Sequence, residues 1–391
     1  MLPLEGITVV SLEQAVAAPF ATRQLADLGA RVIKVERPEV GDFARGYDAT
    51  VRGMSSHFVW LNRSKESLTL DLKRDEAKLV LDRLLAKADV FIQNLAPGAT
   101  ERLGFATAEL RKKYPRLIVC DLSGYGSSGP YRDKKAYDLL IQAEVGLISI
   151  TGTEQSPSKV GISIADISCG MYAYSGILTA LLVRARTGEG VALETSLFDS
   201  LAEWMSYAAY YTSGGSAPPR SGASHATIAP YGPVQSGDHK AVYLGLQNER
   251  EWKRFCEVVL QLPQLSSDPR FDSNAKRVQN RPQLDQVMHE VFGKLTTAEI
   301  IARLETAQIA NARMNTMQEF VVHPQLEARK RWSEVDSPVG RLPALLPPVT
   351  MENVDVAMNE IPALGQHTGA ILGELGFNAE TIASWRRDGV I

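Results

Sequence analysis

An aspartate stands directly before the longest helical segment that the sequence predicts. Asp166 follows the apolar run Ile162-Ser163-Ile164-Ala165 and opens a stretch in which apolar residues recur at helical spacing. A carboxylate held at a helix N-terminus among apolar neighbours is ionised and weakly hydrated, which is the state that a nucleophile needs. The alternative interpretation is structural, because aspartate is one of the most favourable N-cap residues. Both interpretations place Asp166 at the start of this helix.

Basic residues follow several predicted strand ends, where they would meet phosphate groups. This set consists of Arg37, Arg63, Lys65, Arg102, Arg132, Lys134 and Lys135. Solvated surface charge is the alternative for each of them. The six histidines show no metal-ligand spacing, and the GxGxxG, GxSxG and P-loop motifs are missing. We therefore expect no metal site and no nicotinamide cofactor, so a nicotinamide-dependent oxidoreductase is disfavoured.

Short β-branched segments alternate with amphipathic helical segments in the first half of the chain. Residues 7–12 and 31–36 are predicted strands, and Ala21, Leu25 and Leu28 form a helical stripe between them. The same alternation continues to a strand at 117–122. This pattern is typical of an α/β fold with an open, doubly wound, Rossmann-like parallel sheet. The helix that begins at Asp166 is predicted to end at Thr187-Gly188.

Two changes in composition indicate domain boundaries. Residues 213–227 are rich in glycine, serine and proline, and residues 333–350 are rich in proline, as is typical of linkers. We therefore predict a large domain at 1–212 and a smaller α+β domain at 228–332. The C-terminal part, 351–391, is predicted to return to the large domain.

The overall composition is that of an ordinary globular protein. The chain has 391 residues, 45% of them hydrophobic and 22% charged, with a formal net charge of -3. These values indicate neither nucleic acid nor a membrane as a partner. The three cysteines form no CxxC pair, which favours a reducing cytoplasm. We expect no leader segment, and no apolar run that approaches the roughly 20 residues of a membrane span.

Several separated blocks of sequence together form a specific pattern. They are 6–12 with Ala18-Pro19; 28–36 with Pro38 and Gly41-Asp42; 62–65 with 70–73; Asp89-Val90, Asn94 and Pro97-Gly98; Ser123-Gly124-Tyr125-Gly126 with Gly129-Pro130; Ala165-Asp166; and 186–190. In these blocks the chain resembles the class III coenzyme A transferases, the formyl-CoA and carnitine-CoA transferase family. The resemblance covers nearly the whole chain.

The resemblance implies an enzyme that moves CoA between carboxylic acids. Asp166 matches the family's covalent nucleophile, which becomes an aspartyl-CoA thioester during turnover. CoA is a substrate in this chemistry, and no tightly bound cofactor is implied. The positions that resemble the family's CoA contacts are Gln14, Ala15, Val16, Arg37, Leu61, Lys65, Asn94, Leu95, Arg102, Leu103 and Lys135. The family also implies an intertwined homodimer, in which the small domain completes the partner's site.

Two departures from the family pattern bear on the substrate. The family's racemases carry a histidine where this chain has Tyr137, which disfavours α-proton exchange. The segment 224–232 replaces the glycine-rich loop of the formyl-CoA enzymes, so formate and oxalate are poor substrate candidates. It resembles instead the branch that acts on short dicarboxylates such as succinate, itaconate, mesaconate, citramalate or glutarate. The residues expected to bind such a substrate are Arg45, Arg52, Tyr137, Arg220 and His225.

Two alternatives to CoA transfer remain open at this level. An acyl-CoA racemase or epimerase of the same superfamily would exchange the α-proton of its substrate with solvent. A non-catalytic CoA-binding protein would be unaffected by loss of the Asp166 carboxylate.

Overall fold

The computed structural model describes residues 1–391, which divide into two compact units. The first unit consists of Met1–Gly146, Val160–Tyr207 and Leu326–Ile391. The second consists of Leu147–Lys159 and Ala208–Gln325. The predicted linker 213–227 thus lies inside the second unit.

The first unit is built on a six-stranded sheet in which every neighbouring pair is parallel. Its strands are β1 (Thr8–Leu12), β2 (Arg31–Glu36), β3 (Lys65–Thr69), β4 (Val90–Gln93), β5 (Ile118–Ser123) and β6 (Ala192–Ser196). They lie in the order β3-β2-β1-β4-β5-β6. The predicted α/β architecture with a parallel sheet is therefore confirmed.

Eighteen α-helices complete the chain. They are α1 (Ala17–Asp27), α2 (Ser56–Leu61), α3 (Asp75–Leu85), α4 (Ala99–Leu103), α5 (Thr107–Lys113), α6 (Asp138–Glu144), α7 (Leu147–Ile150), α8 (Ile164–Thr187), α9 (Leu197–Trp204), α10 (Ser206–Ser213), α11 (Glu249–Arg254), α12 (Asn274–Gln279), α13 (Arg281–Phe292), α14 (Thr297–Ala307), α15 (Met317–Val321), α16 (Pro324–Ala328), α17 (Thr368–Glu374) and α18 (Ala379–Arg387). Short 3-10 turns occur at Phe43–Gly46 and Pro263–Ser267.

The apolar strands explain why the sheet is buried. Val10 on β1 and Phe91 on β4 pack with Leu81 of α3 in one core. Strands covered on both faces favour such continuous β-branched and aromatic runs. Gly188 ends α8 in the left-handed conformation (φ 81°), as predicted for the end of this helix.

The second unit has its own small sheet and core. Its antiparallel strands are β7 (Tyr231–Gln235), β8 (Ala241–Gly245) and β9 (Ala310–Arg313), in the order β7-β8-β9. Trp252 and Phe292 are fully buried members of its core.

The proline-rich segment 333–350 is more than a connection. It belongs to the first unit, where β10 (Trp332–Val335) pairs with β11 (Leu342–Leu345). The two buried residues Val335 and Leu342 pack against Phe58 of α2. The segment predicted as a linker therefore also contributes a strand pair and buried apolar side chains to the first unit.

Helix α8 also departs from an expectation. It has 24 residues and a mean hydropathy of 1.3 over its most apolar stretch, so it is long and apolar enough to cross a membrane by length and composition. The expectation that no apolar run approaches a membrane span is therefore wrong. Ala165, Cys169, Ala173 and Ile177 of this helix are buried in the first unit, and core helices of this kind meet the same criterion.

A buried group of three charges joins α1 to the segment that precedes β3. Arg63 binds Asp27 through two hydrogen bonds of 2.8 and 2.7 Å, and Arg23 binds it at 2.6 Å. All three side chains are at least nine-tenths buried. Asp27 is therefore the shared partner of two guanidinium groups that have little contact with water.

Replacement of this shared carboxylate should destabilise the protein strongly. We expect Asp27→Ala to lower the free energy of unfolding by about 3 to 5 kcal/mol, because two buried positive charges lose their partner. The measurement is urea unfolding followed by circular dichroism. Asp75→Ala is the matched control, since Asp75 is exposed and pairs only with Lys78, and its effect should stay below about 1 kcal/mol. Equal effects of the two substitutions would contradict the prediction.

Candidate active site

Asp166 lies in the first turn of α8 without capping it. Ser163 occupies the N-cap position and Asp166 is the third residue of the helix. No hydrogen bond within residues 1–391 ends on its carboxylate, and only burial and a neighbouring charge act on it. The interpretation of Asp166 as an N-cap is therefore wrong, and its carboxylate is available to a substrate.

Asp138 takes over the capping of α8. Its Oδ1 accepts hydrogen bonds from the backbone N–H groups of Ala165 at 2.7 Å and Asp166 at 3.3 Å. Its Oδ2 accepts one from Gln142 at 2.7 Å, and Gln142 in turn binds the backbone N–H of Val160 at 3.0 Å. A carboxylate from α6 thus satisfies N–H groups that every helix leaves free at its N-terminus.

The surroundings of Asp166 make its carboxyl group more basic. Burial raises the pKa of Asp166 to about 7, and the negative charge of Asp138 adds to the increase. Part of the Asp166 residue nevertheless remains accessible at the surface of the protein. The group therefore combines poor hydration with an open approach, as a carboxylate nucleophile requires.

Two exposed tyrosines belong to the surroundings of Asp166. Tyr47 and Tyr137 have exposed fractions of 50% and 71%. Burial raises the pKa of Tyr47, and the charges of Asp42 and Asp166 together with Tyr137 raise it further. Tyr137 is also the residue next to Asp138, which binds the first turn of α8. Tyr47 is therefore in electrostatic range of Asp166, and Tyr137 adjoins the residue that caps the helix.

The loop between β1 and α1 is held in one conformation. Ala15 has a left-handed backbone (φ 63°), which is unusual for a residue with a side chain. The Asn94 side chain binds both backbone groups of Gln14. It accepts a hydrogen bond from the Gln14 N–H at 2.8 Å and donates one to the Gln14 carbonyl at 2.9 Å. Asn94 is thus occupied by the loop itself, and its effect on a ligand is through Gln14 and Ala15.

Some of the expected CoA contacts are hidden inside the protein. Val16, Leu61 and Lys65 have exposed fractions of 3%, 0% and 2%, and Arg63, one of the basic residues that could meet phosphates, has 4%. Lys65 forms an ion pair with Glu13 at 2.7 Å. The structure therefore does not present these side chains to a ligand, and the expectation for them is corrected.

Other expected CoA contacts remain accessible. Arg37, Arg102 and Lys135 are exposed, whereas Leu95 and Leu103 are half-buried.

A cavity of about 350 Å³ opens near the carboxyl ends of β4 and β5. Residues that line it include Gln93, Leu95, Gly98, Asp121, Ser123 and Arg132. Asp166 does not line this cavity, so the cavity is a space beside the predicted CoA contacts and not the site of the nucleophile.

Most cations expected to bind a second carboxylate are already engaged. Arg45 binds Glu36 through two hydrogen bonds of 2.8 Å and lies 3.7 Å from the ring centre of Phe58. Arg220, in the second unit, donates to three backbone carbonyl groups within that unit. Both arginines therefore already have partners in this structure, and a role of either in substrate binding stays a prediction. Arg52 is exposed and makes only longer contacts, of 3.3 and 3.5 Å, with carbonyls of 339–341.

His225 lies in the second unit with its ring stacked on Tyr231. The ring centres are 5.2 Å apart, and His225 Nδ1 accepts a hydrogen bond from the backbone N–H of Thr227 at 3.2 Å. Since Nδ1 accepts this bond, Nε2 is the nitrogen that carries the proton in the neutral ring. A role of His225 in substrate binding stays a prediction.

The sequence analysis missed three residues that build the site. Asp138, Gln142 and Tyr47 owe their importance to contacts with residues far away in the chain. Asp138 does stand next to Tyr137, but no spacing rule connects it to a helix that begins 26 residues later. Only the folded chain reveals this bond.

The fold and the site together define an α/β protein that exposes an acidic side chain at the start of a core helix. The sequence matches the model of CoA-transferase family III over residues 4–368, and the chain belongs to this family. The resemblance described above is thereby confirmed.

Relatives of known activity and structure support this membership. The succinyl-CoA:glutarate CoA-transferase of Mus musculus is 33% identical over 96% of this chain and 87% of its own length. The acetyl-CoA:oxalate CoA-transferase of Acetobacter aceti is 35% identical over 84% of each chain. The crystal structure of a CAIB/BAIF family protein from Brucella suis has a TM-score of 0.83 and 33% identity, covering 95% of this chain and 99% of that one.

Asp138 should influence the pH dependence of CoA transfer. If Asp166 is the nucleophile, the wild-type rate should rise with pH through about 7, because an ionised carboxylate attacks a thioester and a protonated one does not. Asp138→Asn keeps an oxygen for the α8 N–H groups but removes the neighbouring charge, so the pKa of Asp166 falls. We expect the acidic limb of kcat/KM to move to lower pH.

The matched comparison is Asp138→Ala, which removes both the charge and the hydrogen-bond acceptor. It should move the pH profile in the same direction and also lower kcat, since the first turn of α8 loses its cap. A profile of Asp138→Asn that coincides with that of the wild type would contradict the prediction.

Proposed function

We propose that this protein transfers CoA between carboxylic acids through a covalent intermediate on Asp166. The observation that carries the proposal is the unbonded, poorly hydrated carboxylate of Asp166 in a turn that Asp138 holds in place. The relatives named as CoA-transferases support the same reaction.

The reaction proceeds by exchange of acyl groups. An Asp166 oxygen attacks the thioester carbonyl of the donor and forms a mixed anhydride, while CoA leaves as the thiolate. The thiolate then attacks the aspartyl carbonyl, which releases the donor as a free carboxylate and leaves an aspartyl-CoA thioester. The acceptor carboxylate reverses both steps. Because each pair of steps converts one CoA thioester into another and exchanges one carboxylate for another, the pair is close to isoenergetic. The enzyme must chiefly exclude water from the intermediates.

The loop residues Gln14 and Ala15, which Asn94 holds in place, and Leu95 are proposed to contact acyl-CoA. Arg37, Arg102 and Lys135 are the exposed cations near these expected contacts, and they suit phosphate groups. The rigid backbone at Ala15 supports this assignment, because strained residues often lie at ligand sites.

The acceptor is proposed to be a short dicarboxylate such as succinate, glutarate, itaconate, mesaconate or citramalate. The relative named as a succinyl-CoA:glutarate CoA-transferase supports this class. The relative named for oxalate supports dicarboxylates in general and leaves the chain length to experiment. Among the expected second-carboxylate partners, Arg52 and Tyr137 are the exposed ones in the first unit.

A homodimer in the cytoplasm completes the proposal. Met171, Tyr172, Leu182 and Val183 of α8 are exposed apolar residues, with Leu182 at 63%, and such a face suits a protein interface. All three cysteines are free and buried, which suits a reducing compartment.

Asp166→Asn should abolish transfer while leaving the fold intact. The amide cannot form the anhydride, so we expect kcat to fall by at least about 10³-fold. With the wild type, hydroxylamine added during turnover should convert the Asp166 side chain to a hydroxamate, detected by mass spectrometry of the peptide. The matched control is Asp75→Asn in the exposed first turn of α3, which should behave as the wild type. Full exchange activity in Asp166→Asn would refute the mechanism.

The same substitution should not lower stability. The folded-state pKa of about 7 lies above the ordinary 3.8, so the ionised group destabilises the fold, and stability falls as pH rises from about 4 to about 7. Full conversion of this difference gives about 4 kcal/mol, which partial exposure reduces to about 1 to 2 kcal/mol. The unfolding midpoint of Asp166→Asn at pH 8 should therefore equal or exceed that of the wild type.

A substrate panel tests the proposed acceptor class. With succinyl-CoA as donor, we expect transfer to glutarate, itaconate, mesaconate or citramalate, read as the product acyl-CoA by mass spectrometry. Butyrate, which lacks the second carboxylate, and formate should be poor acceptors, by at least about 10-fold in kcat/KM. Oxalate tests whether the shortest dicarboxylate is accepted. Equal use of butyrate and glutarate would rule out the proposed class.

A further inference from the structure

Four charged side chains are buried beneath the loop between β1 and α1. Glu13, Lys34, Asp42 and Lys65 all have side chains with no exposed surface. Lys34 lies 2.6 Å from Asp42 and 3.2 Å from Glu13, and Lys65 lies 2.7 Å from Glu13. The two positive and two negative charges neutralise one another. Such a dry network keeps its geometry only while every member is paired.

Asp42 connects this network to the surface. Its Oδ2 accepts from Lys34 at 2.6 Å. Its Oδ1 accepts from two backbone N–H groups, those of Ala15 and Ala44, each at 2.9 Å. Its own backbone N–H donates to Glu36 Oε1 at 3.1 Å. The carboxylate is therefore fully used, and its bonds join two segments that are distant in sequence.

One of these segments is the loop that carries Gln14 and Ala15. The left-handed backbone of Ala15 (φ 63°) is unfavourable for an alanine, because its Cβ approaches the following carbonyl. The bond from its N–H to Asp42 compensates for this conformation. Without the Asp42 carboxylate, the Ala15 N–H would have no hydrogen-bond acceptor beside the buried charges. Ala15 would then lower its free energy by leaving the left-handed conformation.

The other segment is the short turn that begins at Phe43. Its backbone N–H donates to Gln14 Oε1 at 3.1 Å, so the turn and the loop also bind each other directly. The Phe43 ring lies 4.9 Å from the guanidinium of Arg37. Asp42 is thus bonded to one expected CoA contact, Ala15, and linked through Phe43 to two others, Gln14 and Arg37.

We infer that Asp42 is a positioning residue for acyl-CoA: through its bonds to the backbone of Ala15 and Ala44 it fixes the loop and the Phe43 turn in the conformation that binds the substrate. This inference rests on the proposed function, since it assigns to Asp42 the ordering of that site. Asp42 itself is buried and does not contact the ligand. It acts through Ala15 and Phe43.

The negative charge of Asp42 is essential to this role. An asparagine retains one oxygen for the two backbone N–H groups, but its NH₂ group would face the ammonium of Lys34. The side chain must then turn or move, and the loop loses its acceptor in either case. If the loop occupies its binding conformation in only about a tenth of the molecules, the apparent Kd for CoA rises about 10-fold.

The experiment compares CoA binding in four proteins by isothermal titration calorimetry, together with steady-state kinetics. They are the wild type, Asp42→Asn, Ala15→Pro and the control Asp75→Asn. Asp42→Asn should bind CoA at least about 10-fold more weakly, with KM for acyl-CoA rising more than kcat falls. Ala15→Pro should also weaken binding, because proline has no N–H to donate to Asp42 and cannot adopt the left-handed backbone, while the side chains of the charge network are unchanged. Asp75→Asn should match the wild type.

Each result has a defined meaning. A folded Asp42→Asn with wild-type affinity for CoA overturns the inference, as does a loss of kcat with unchanged KM and Kd. If Asp42→Asn fails to fold, Ala15→Pro decides, and wild-type affinity in that variant overturns the inference. A wild type that binds CoA but shows no transfer contradicts the proposed function and leaves the positioning role standing. A wild type that binds no CoA contradicts both the proposed function and the positioning role of Asp42.

Discussion

The hydrogen bonds from the first turn of α8 to Asp138 are the interaction on which the site depends. An aspartate near a helix N-terminus normally turns back to cap it, because free N–H groups are strong donors. In this protein Asp138 already occupies the N–H groups of Ala165 and Asp166. The carboxylate of Asp166 therefore has no partner within the chain. A capping bond made by a different element is what frees this side chain for chemistry.

The buried charges beneath the β1–α1 loop fix the conformation of the loop more than they add to the stability of the fold. Ion pairs such as Lys34 with Asp42 lose much of their attraction to the cost of dehydration, and apolar side chains of similar volume often stabilise a core as well. What apolar side chains cannot do is accept the N–H of Ala15 and hold a left-handed backbone. The network is thus explained by the geometry that it imposes on the loop.

The sequence predicts the strands of the sheet well, but it predicts the ion pairs between distant residues poorly. The strand predicted at 31–36 is β2 with the same bounds, because β-branched residues and a flanking glycine mark a buried parallel strand. Lys65 and Arg45 were expected at a ligand surface, since lysine and arginine are rarely buried. Both lie inside because Glu13 and Glu36 are there to neutralise them. Partners of this kind come together only in three dimensions, and no periodicity in the sequence records them.

The same limit applies to Asp166. Its position before a long helix is visible in the sequence, but its basicity depends on burial and on the charge of Asp138, which the sequence does not place nearby. A pKa near 7 has opposite effects on the two halves of the proposed exchange. A more basic carboxylate attacks a thioester faster, yet it is also a poorer leaving group when the CoA thiolate attacks the acceptor carbonyl of the second anhydride. The covalent state then lasts longer, and exclusion of water from the first turn of α8 becomes the property that decides between transfer and hydrolysis.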